Sequence, residues 1–272
     1  MKVIFIDFSI FLNRSLLGCH MRGEIQYAQF MCMRMIFACL KKIELNEDDL
    51  IIFALDSPKG SWRRDIDSNY KKNRRAQRAK LNIDWTTEYA KFAKLIGNLE
   101  VATPFHIVEI DRLECDDIVS AGVRYYYNCE CIIISTDSDF DQLTKFQNVK
   151  LFNPVKKEYK IITDDCYKLI AKKIKKEVTD NLITPILTVE DYERRDLIVN
   201  LTRLPEDIES LVVHELKKIT IRNYDIGLFQ YPKIQYELKN LFNNHNKKII
   251  TFKNSFRKKI KRKIKLNQST LF

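Results

Sequence analysis

Three stretches of the chain are continuously apolar and each ends in aspartate: residues 2–7 (KVIFID), 50–56 (LIIFALD) and 130–137 (ECIIISTD). Uninterrupted apolar runs of this length belong to strands covered on both faces, as in a parallel α/β sheet. The segments between them carry helical periodicity. Residues 11–42 read as one or two helices with Leu12, Leu16, Phe30, Met33, Ile36 and Leu40 facing a core. Residues 85–98 read as another helix stopping near Gly97, and residues 113–127 as a third. A small hairpin is expected from 149–154 (VKLFNP) and 158–162 (EYKII), with polar helical sequence from about residue 164. Strand signals stop before residue 183, which divides the chain into regions 1–183 and 184–272.

Ligands of parallel sheets gather at the carboxyl ends of the strands, so aspartates closing three such strands converge. Two more segments add acids. LECDDIVSAGV sets Glu114, Asp116 and Asp117 at a helix start, with Glu114 and Asp117 three apart on one face. STDSDFDQL puts Asp137 and Asp139 two apart, directed to the same side, with Asp141 as an outer acid or a helix cap. Asp7, Asp56, Glu114, Asp116, Asp117, Asp137 and Asp139 would then repel one another at one rim. Hard divalent cations resolve that conflict, and Mg²⁺ or Mn²⁺ prefer such oxygen donors. The set holds no His or Cys, which argues against zinc. Two ions about 4 Å apart are suited to hydrolysing a phosphodiester.

Charge sharpens the picture. The 272 residues carry a net charge of +11, but residues 63–80 hold +6 and residues 247–265 hold +10. The rest of the chain is therefore at −5. An acidic body with two basic arms suits a polyanion that is gripped by the arms and cut at the acids. The N-terminal run is too short for a signal peptide, and no apolar stretch is long enough to span a membrane. The seven cysteines are scattered, Cys129 and Cys131 having no matching pair, so reduced thiols and a cytoplasmic setting are expected.

The segments IDFS (6–9), ALDSPKGSWRRDIDSNYKKNR (54–74), LECDDI (113–118) and STDSDFDQL (135–143) resemble the 5′-nuclease, or flap endonuclease, family. The likeness is strongest to its branch in T-even-type phages, the RNase H enzymes, and covers roughly residues 1–215. It implies a PIN-like α/β fold: a parallel-sheet nuclease core with a helical arch at about 59–92, followed by a smaller helical C-terminal region. It also implies a 5′→3′ exonuclease and flap endonuclease that removes RNA primers and 5′ DNA flaps during DNA replication. The cofactor would be two Mg²⁺ ions, with Mn²⁺ able to substitute. Its metal ligands would be the seven acids above, plus Glu177 and Asp180. Those two stand in an altered Lys176–Asn181 element where the family has Gly-Asp-x-x-Asp-Asn. Lys71 and Arg74 would contact the scissile phosphate, Tyr70 would stack on a base, and Arg63, Arg64, Lys72 and Arg75 would bind the DNA backbone.

The second basic arm brings Lys258, Lys259, Lys261 and Arg262 as further DNA contacts. Gln268, Leu271 and Phe272 resemble the short peptides that dock into sliding clamps. The expected partners are DNA with 5′ flaps, nicks or RNA primers, and a sliding clamp or single-strand-binding protein. The protein itself is expected to be a monomer. Two other readings stay open from sequence: a PIN-type single-strand ribonuclease, and a branched-DNA-binding protein with weakened catalysis.

Overall fold

The computed structural model describes residues 1–175, 186–220 and 224–242, with backbone alone for residues 74–77. Its centre is a six-stranded sheet built from β1 (Lys2–Asp7), β2 (Leu50–Ala54), β3 (His106–Val108), β4 (Glu130–Ile134), β5 (Val149–Asn153) and β6 (Glu158–Lys160). The order is β3-β2-β1-β4-β5-β6, parallel except for the antiparallel β5–β6 pair at the edge. The three apolar runs are thus the three central strands, and the 149–162 hairpin is the edge. β3 is the strand the sequence pattern does not announce, because three residues cannot establish a period.

Alternation along each strand feeds two cores. Ile4, Ile6, Ile51, Phe53, Ile132 and Ile134 point to one face, where α1 (Phe8–His20), α2 (Ala28–Ile43) and α5 (Trp85–Ala102) supply Phe11, Leu16, Ile36, Leu40, Phe92 and Leu99. Val3, Phe5, Ile52, Ala54, Cys131 and Ile133 point to the other, against Ile118, Val119 and Val123 of α6 (Cys115–Tyr125) and Ile208, Val212 and Leu216 of α9 (Glu206–Lys217). Helical residues 232–242 add Ile234, Leu238 and Phe242 to the first core. The expected helical segment 11–42 is two helices, broken where Gly23 takes a positive φ of 69°. Of its expected core residues, Phe30 is only partly buried. α5 runs through Gly97 and ends at Ala102, where Thr103 caps it by donating to the Leu99 carbonyl. A mid-helix glycine costs about 1 kcal/mol, which eighteen residues of packed helix absorb.

Between β2 and α5 stand two short helices, α3 (Arg63–Ile66) and α4 (Lys72–Ala79). After β6 come α7 (Cys166–Lys175) and α8 (Val189–Val199). The expected boundary near residue 183 lies outside the described residues. The cysteines are free and all but Cys129 are buried. Among the described residues no helix is long and apolar enough to cross a membrane.

Gly122 shows how closely α6 lies on the sheet. A Cβ there would come within 2.5 and 2.7 Å of the Phe5 ring. Gly122→Ala is therefore expected to destabilise by about 1–3 kcal/mol despite alanine's better helix propensity, seen as a lower melting temperature. A higher one would mean that the Phe5 contact is slack.

Candidate active site

β1 has β2 on one side and β4 on the other, so the chain leaves the sheet in opposite directions around its carboxyl end. Such a reversal opens a crevice at the strand tips. Asp7 is the last residue of β1, Asp56 follows β2, Asp137 follows β4, and α6 begins beside them with Glu114 as its N-cap. The tips are tied together by short polar links. The Ser135 hydroxyl donates to Asp7 Oδ2 at 2.8 Å and accepts from the Asp137 amide at 2.9 Å. The Cys115 amide, at the start of α6, donates to Asp56 Oδ1 at 2.9 Å. Ser9 donates to Asp7 Oδ1 at 3.0 Å.

The acids feel one another. Burial, and then the charge of Asp56, push the Asp7 carboxyl up to about 6, with Asp137 adding to the rise and the Ser135 and Ser9 hydroxyls opposing it. Burial likewise pushes half-buried Asp116 well above the usual carboxylate range. Lys71 counters that rise, while Asp137 and Glu114 reinforce it. Asp7, Asp56, Asp116 and Asp137 thus form one electrostatically linked, all-oxygen group with excess negative charge. As they are oriented, no three acids among the described residues stand in a ready-made ion-holding group. The donor chemistry nevertheless fits a hard divalent cation, which would relieve the charge that raises Asp7 and Asp116.

Below this rim lies a second layer that the sequence reading misassigned. Arg63 is 1% exposed. Its Nη1 donates to Glu114 Oε2 at 3.1 Å and Asp117 Oδ2 at 3.0 Å, its Nη2 pairs with Asp117 Oδ1 at 2.7 Å, and its Nε donates to the Ile198 carbonyl at 2.8 Å. Burial works against that charge, and Asp117, Tyr70 and Glu114 overcome it, holding the guanidinium firmly protonated. Arg63 is therefore not a DNA-backbone contact but the counter-ion of two buried acids. Asp117, fully buried, also accepts from Trp62 Nε1 at 3.1 Å and from the Glu114 amide at 2.9 Å. It anchors Arg63: its Oδ2 takes all three hydrogen bonds, whereas its buried Oδ1 has the ion pair with Arg63 and no hydrogen bond.

Tyr70 is corrected as well. It is 4% exposed, its ring packs with Ile198, and its hydroxyl donates to Glu114 Oε2 at 2.7 Å, so it offers no face for a base. Burial and the Glu114 charge raise its pKa and keep it a donor. Glu114 takes a third partner in Lys71, whose backbone sits at a positive φ of 56°. Burial would raise the Glu114 pKa, yet Lys71 and Arg63 draw it below its ordinary value. A left-handed lysine at such a site is a strained conformation costing about 1–3 kcal/mol, held by its surroundings.

The remaining expected residues divide cleanly. Asp139 is ion-paired with Lys173 of α7, and Asp141 accepts from Lys160 at 2.6 Å. Arg64 and Lys72 are exposed on α3 and α4. The side chains of Arg74 and Arg75 lie outside the described residues, as do Glu177, Asp180, Lys258, Lys259, Lys261, Arg262, Gln268, Leu271 and Phe272. The sequence reading passed over Trp62, Ser135 and Lys173. Trp62 and Ser135 adjoin the acidic motifs directly, which is the signal that could have found them; Lys173, one lysine of many in its helix, offers none.

A family model described as "5′-3′ exonuclease, N-terminal resolvase-like domain" matches residues 2–173. The chain is 31% identical over 186 residues to "Ribonuclease H" of Enterobacteria phage T4, covering 64% of this chain and 61% of that protein. It is 28% identical over 125 residues to "Flap endonuclease Xni" of Shewanella denitrificans, covering 44% and 45% respectively. These matches thus span less than two thirds of either relative. The fold resembles the phage T5 5′-exonuclease with bound zinc at a TM-score of 0.58 and 16% identity, covering 80% of this chain and 99% of that one. It also resembles the T5 flap endonuclease in a pseudo-enzyme–product complex with DNA and metal ions, at a TM-score of 0.52 and 15% identity over 89% and 98%.

Two outcomes follow from the buried layer and the rim. Arg63→Ala strands two buried carboxylates and is expected to cost roughly 3–5 kcal/mol in urea unfolding. Arg63→Lys should restore only part, since one ammonium cannot bridge both acids. A loss under about 1 kcal/mol for Arg63→Ala would contradict the buried pairing. Asp7 gives a pH signature in chelator. Its folded pKa of about 6 exceeds the ordinary 3.8, so the folded state holds the proton more tightly. That stability is complete below 3.8 and is lost as pH rises through about 6, a fall of roughly 3 kcal/mol. Asp7→Asn should flatten the curve over this window; an unchanged slope would dissociate it from Asp7.

Proposed function

The chain belongs to the family of 5′-3′ exonucleases with an N-terminal resolvase-like domain, and from that membership we propose that it is a divalent-cation-dependent 5′-nuclease acting on branched DNA. It hydrolyses phosphodiesters in RNA primers and 5′ DNA flaps during DNA replication. The observation that carries this reading is the linked group of Asp7, Asp56, Asp116 and Asp137 at the strand tips, in which burial and then neighbouring acid charge raise Asp7 and Asp116, with Lys71 opposing the rise of Asp116.

These four acids would hold the cation, Mg²⁺ with Mn²⁺ as substitute. When bound, it would supply charge to polarise an attacking water and to screen the phosphate. The Asp139 side does not offer an equivalent second site while Lys173 neutralises it.

Lys71 would serve the scissile phosphate. Its ammonium rests on Glu114 and can leave for a phosphate oxygen, because Arg63 and Tyr70 still satisfy Glu114. Charge growing on the phosphoryl oxygens would then meet a preplaced cation. Arg74 would add a second positive group there. Arg64 and Lys72, exposed beside the rim, would hold the backbone, and Lys258, Lys259, Lys261 and Arg262 would extend that grip along the tail. The region from residue 184 would carry the duplex, and Gln268, Leu271 and Phe272 would dock a sliding clamp.

One time course tests the proposal. A 5′-flap duplex, a nicked duplex, an RNA–DNA hybrid and single-stranded RNA are each incubated with Mg²⁺ and with EDTA. Cleavage of the first three, leaving 5′-phosphates and stopping in EDTA, is expected. Asp137→Asn should slow it by about two orders of magnitude. Cleavage confined to single-stranded RNA, or untouched by EDTA, would refute it.

A further inference from the structure

Four basic side chains of this region are neutralised within the protein. Lys59 pairs with Asp111, Arg63 with Glu114 and Asp117, Lys71 with Glu114, and Arg112 with Asp65. Arg78, near the end of α4, is held differently. Its guanidinium carbon lies over two rings of α5, 5.5 Å from the centroid of Trp85 and 5.8 Å from that of Tyr89. Those rings are themselves 5.8 Å apart and inclined by 31°. The Trp85 indole Nε1 donates to the Arg78 carbonyl at 3.2 Å, fixing the ring to the backbone that carries the guanidinium.

No carboxylate among the described residues pairs with Arg78, and it is exposed. Asp84, the acid in the turn between α4 and α5, is engaged instead in capping α5 through Thr87. The location is also specific. The Tyr89 hydroxyl is shifted upward, first by burial, with the charge of Arg78 opposing and that of Asp56 adding. α4 begins directly after Lys71, which pairs with Glu114, so the Arg78–Trp85–Tyr89 unit stands on the segment that leads away from the acids.

A guanidinium presents five donors in a planar fork, binds aromatic faces, and takes a phosphate through two parallel hydrogen bonds. Holding it over rings restricts its rotamers before the ligand arrives, so less freedom is lost on binding. We propose that Arg78 is a preorganised phosphate clamp, taking a non-scissile phosphodiester of the single strand that approaches the rim along α4. This deepens the nuclease reading and rests on it. It differs from the tip lysine: Lys71 serves the bond to be cut, whereas Arg78 fixes where along the strand the cut falls.

The test is fluorescence anisotropy with a labelled 5′-flap duplex in EDTA, so that nothing is cleaved, across a salt series. Arg78→Ala is expected to weaken flap binding roughly tenfold and to flatten the log–log salt slope by about 1, leaving binding of the same duplex without its flap unchanged. Arg78→Lys should keep the slope but recover only part of the affinity. A neutral methylphosphonate walked along the flap should find one position that weakens the wild-type protein and leaves Arg78→Ala indifferent. Trp85→Leu should weaken binding as Arg78→Ala does, and the double variant no further; Arg78→Ala, at an exposed position, keeps the test valid if Trp85→Leu fails to fold. Arg78→Ala binding the flap as the wild type does, full rescue by lysine, or no sensitive methylphosphonate position would each overturn the clamp. A wild-type protein that binds neither flap nor duplex would instead overturn the nuclease reading itself.

Discussion

The guanidinium of Arg63 sits where three segments distant in sequence meet: the acids that open α6, α3 that carries Arg63 itself, and the last turn of α8. A charge this deeply buried is tolerable only when paired and hydrogen-bonded, and here each nitrogen has a partner. Glu114 and Asp117 gain a counter-ion and thereby become fixed in direction. Fixing them orients α6, whose first-turn amide holds Asp56 and whose next acid, Asp116, is presented to the rim. The arrangement of the reactive surface therefore depends on an ion pair beneath it that no substrate need ever touch.

This produces two layers of acid with opposite electrostatics. In the lower layer Arg63 and Lys71 match the charges of Glu114 and Asp117, Tyr70 and Trp62 add hydrogen bonds, and Glu114 is held ionised. In the upper layer burial and neighbouring acids outweigh what compensation there is, and Asp7 and Asp116 rise in pKa. The contrast has a structural origin. Lower acids start a helix covered by α3, whereas upper acids end strands at a crevice kept open by the reversal of strand order. The lower acids are neutralised by the protein, and the upper ones are those that, on the proposed function, would take an ion and a phosphate from outside.

How much of this could be read from sequence follows the same division. The central strands, the crevice and the upper acids were legible because continuous apolar runs and terminal aspartates are local signals. β3 was not, being too short to have a period, and Gly97 misled because tertiary packing outweighs one residue's propensity. Arg63 and Tyr70 were misread for a deeper reason. Sequence gives the sign of a charge and not its depth, and within the +6 arm Arg63 and Arg64 look alike. One is buried in an ion-pair cluster and the other is exposed. Only the fold, by bringing Ile198 over α3, separates them.

The net charge of +11 accordingly says little until each cation is assigned a partner. Lysines at both ends of the acid group, Lys71 on Glu114 and Lys173 on Asp139, balance acids in the absence of other cations. Their positions are not equivalent. Lys71 stands beside an acid with two other donors, so its departure toward a phosphate leaves nothing buried and unpaired. Lys173 faces Asp139, for which no other side-chain cation is found among the described residues. The two lysines therefore make the group asymmetric: on the Asp7–Asp116 side burial and neighbouring acids still raise the carboxyls, and that is the side to which the proposed phosphate chemistry would be directed.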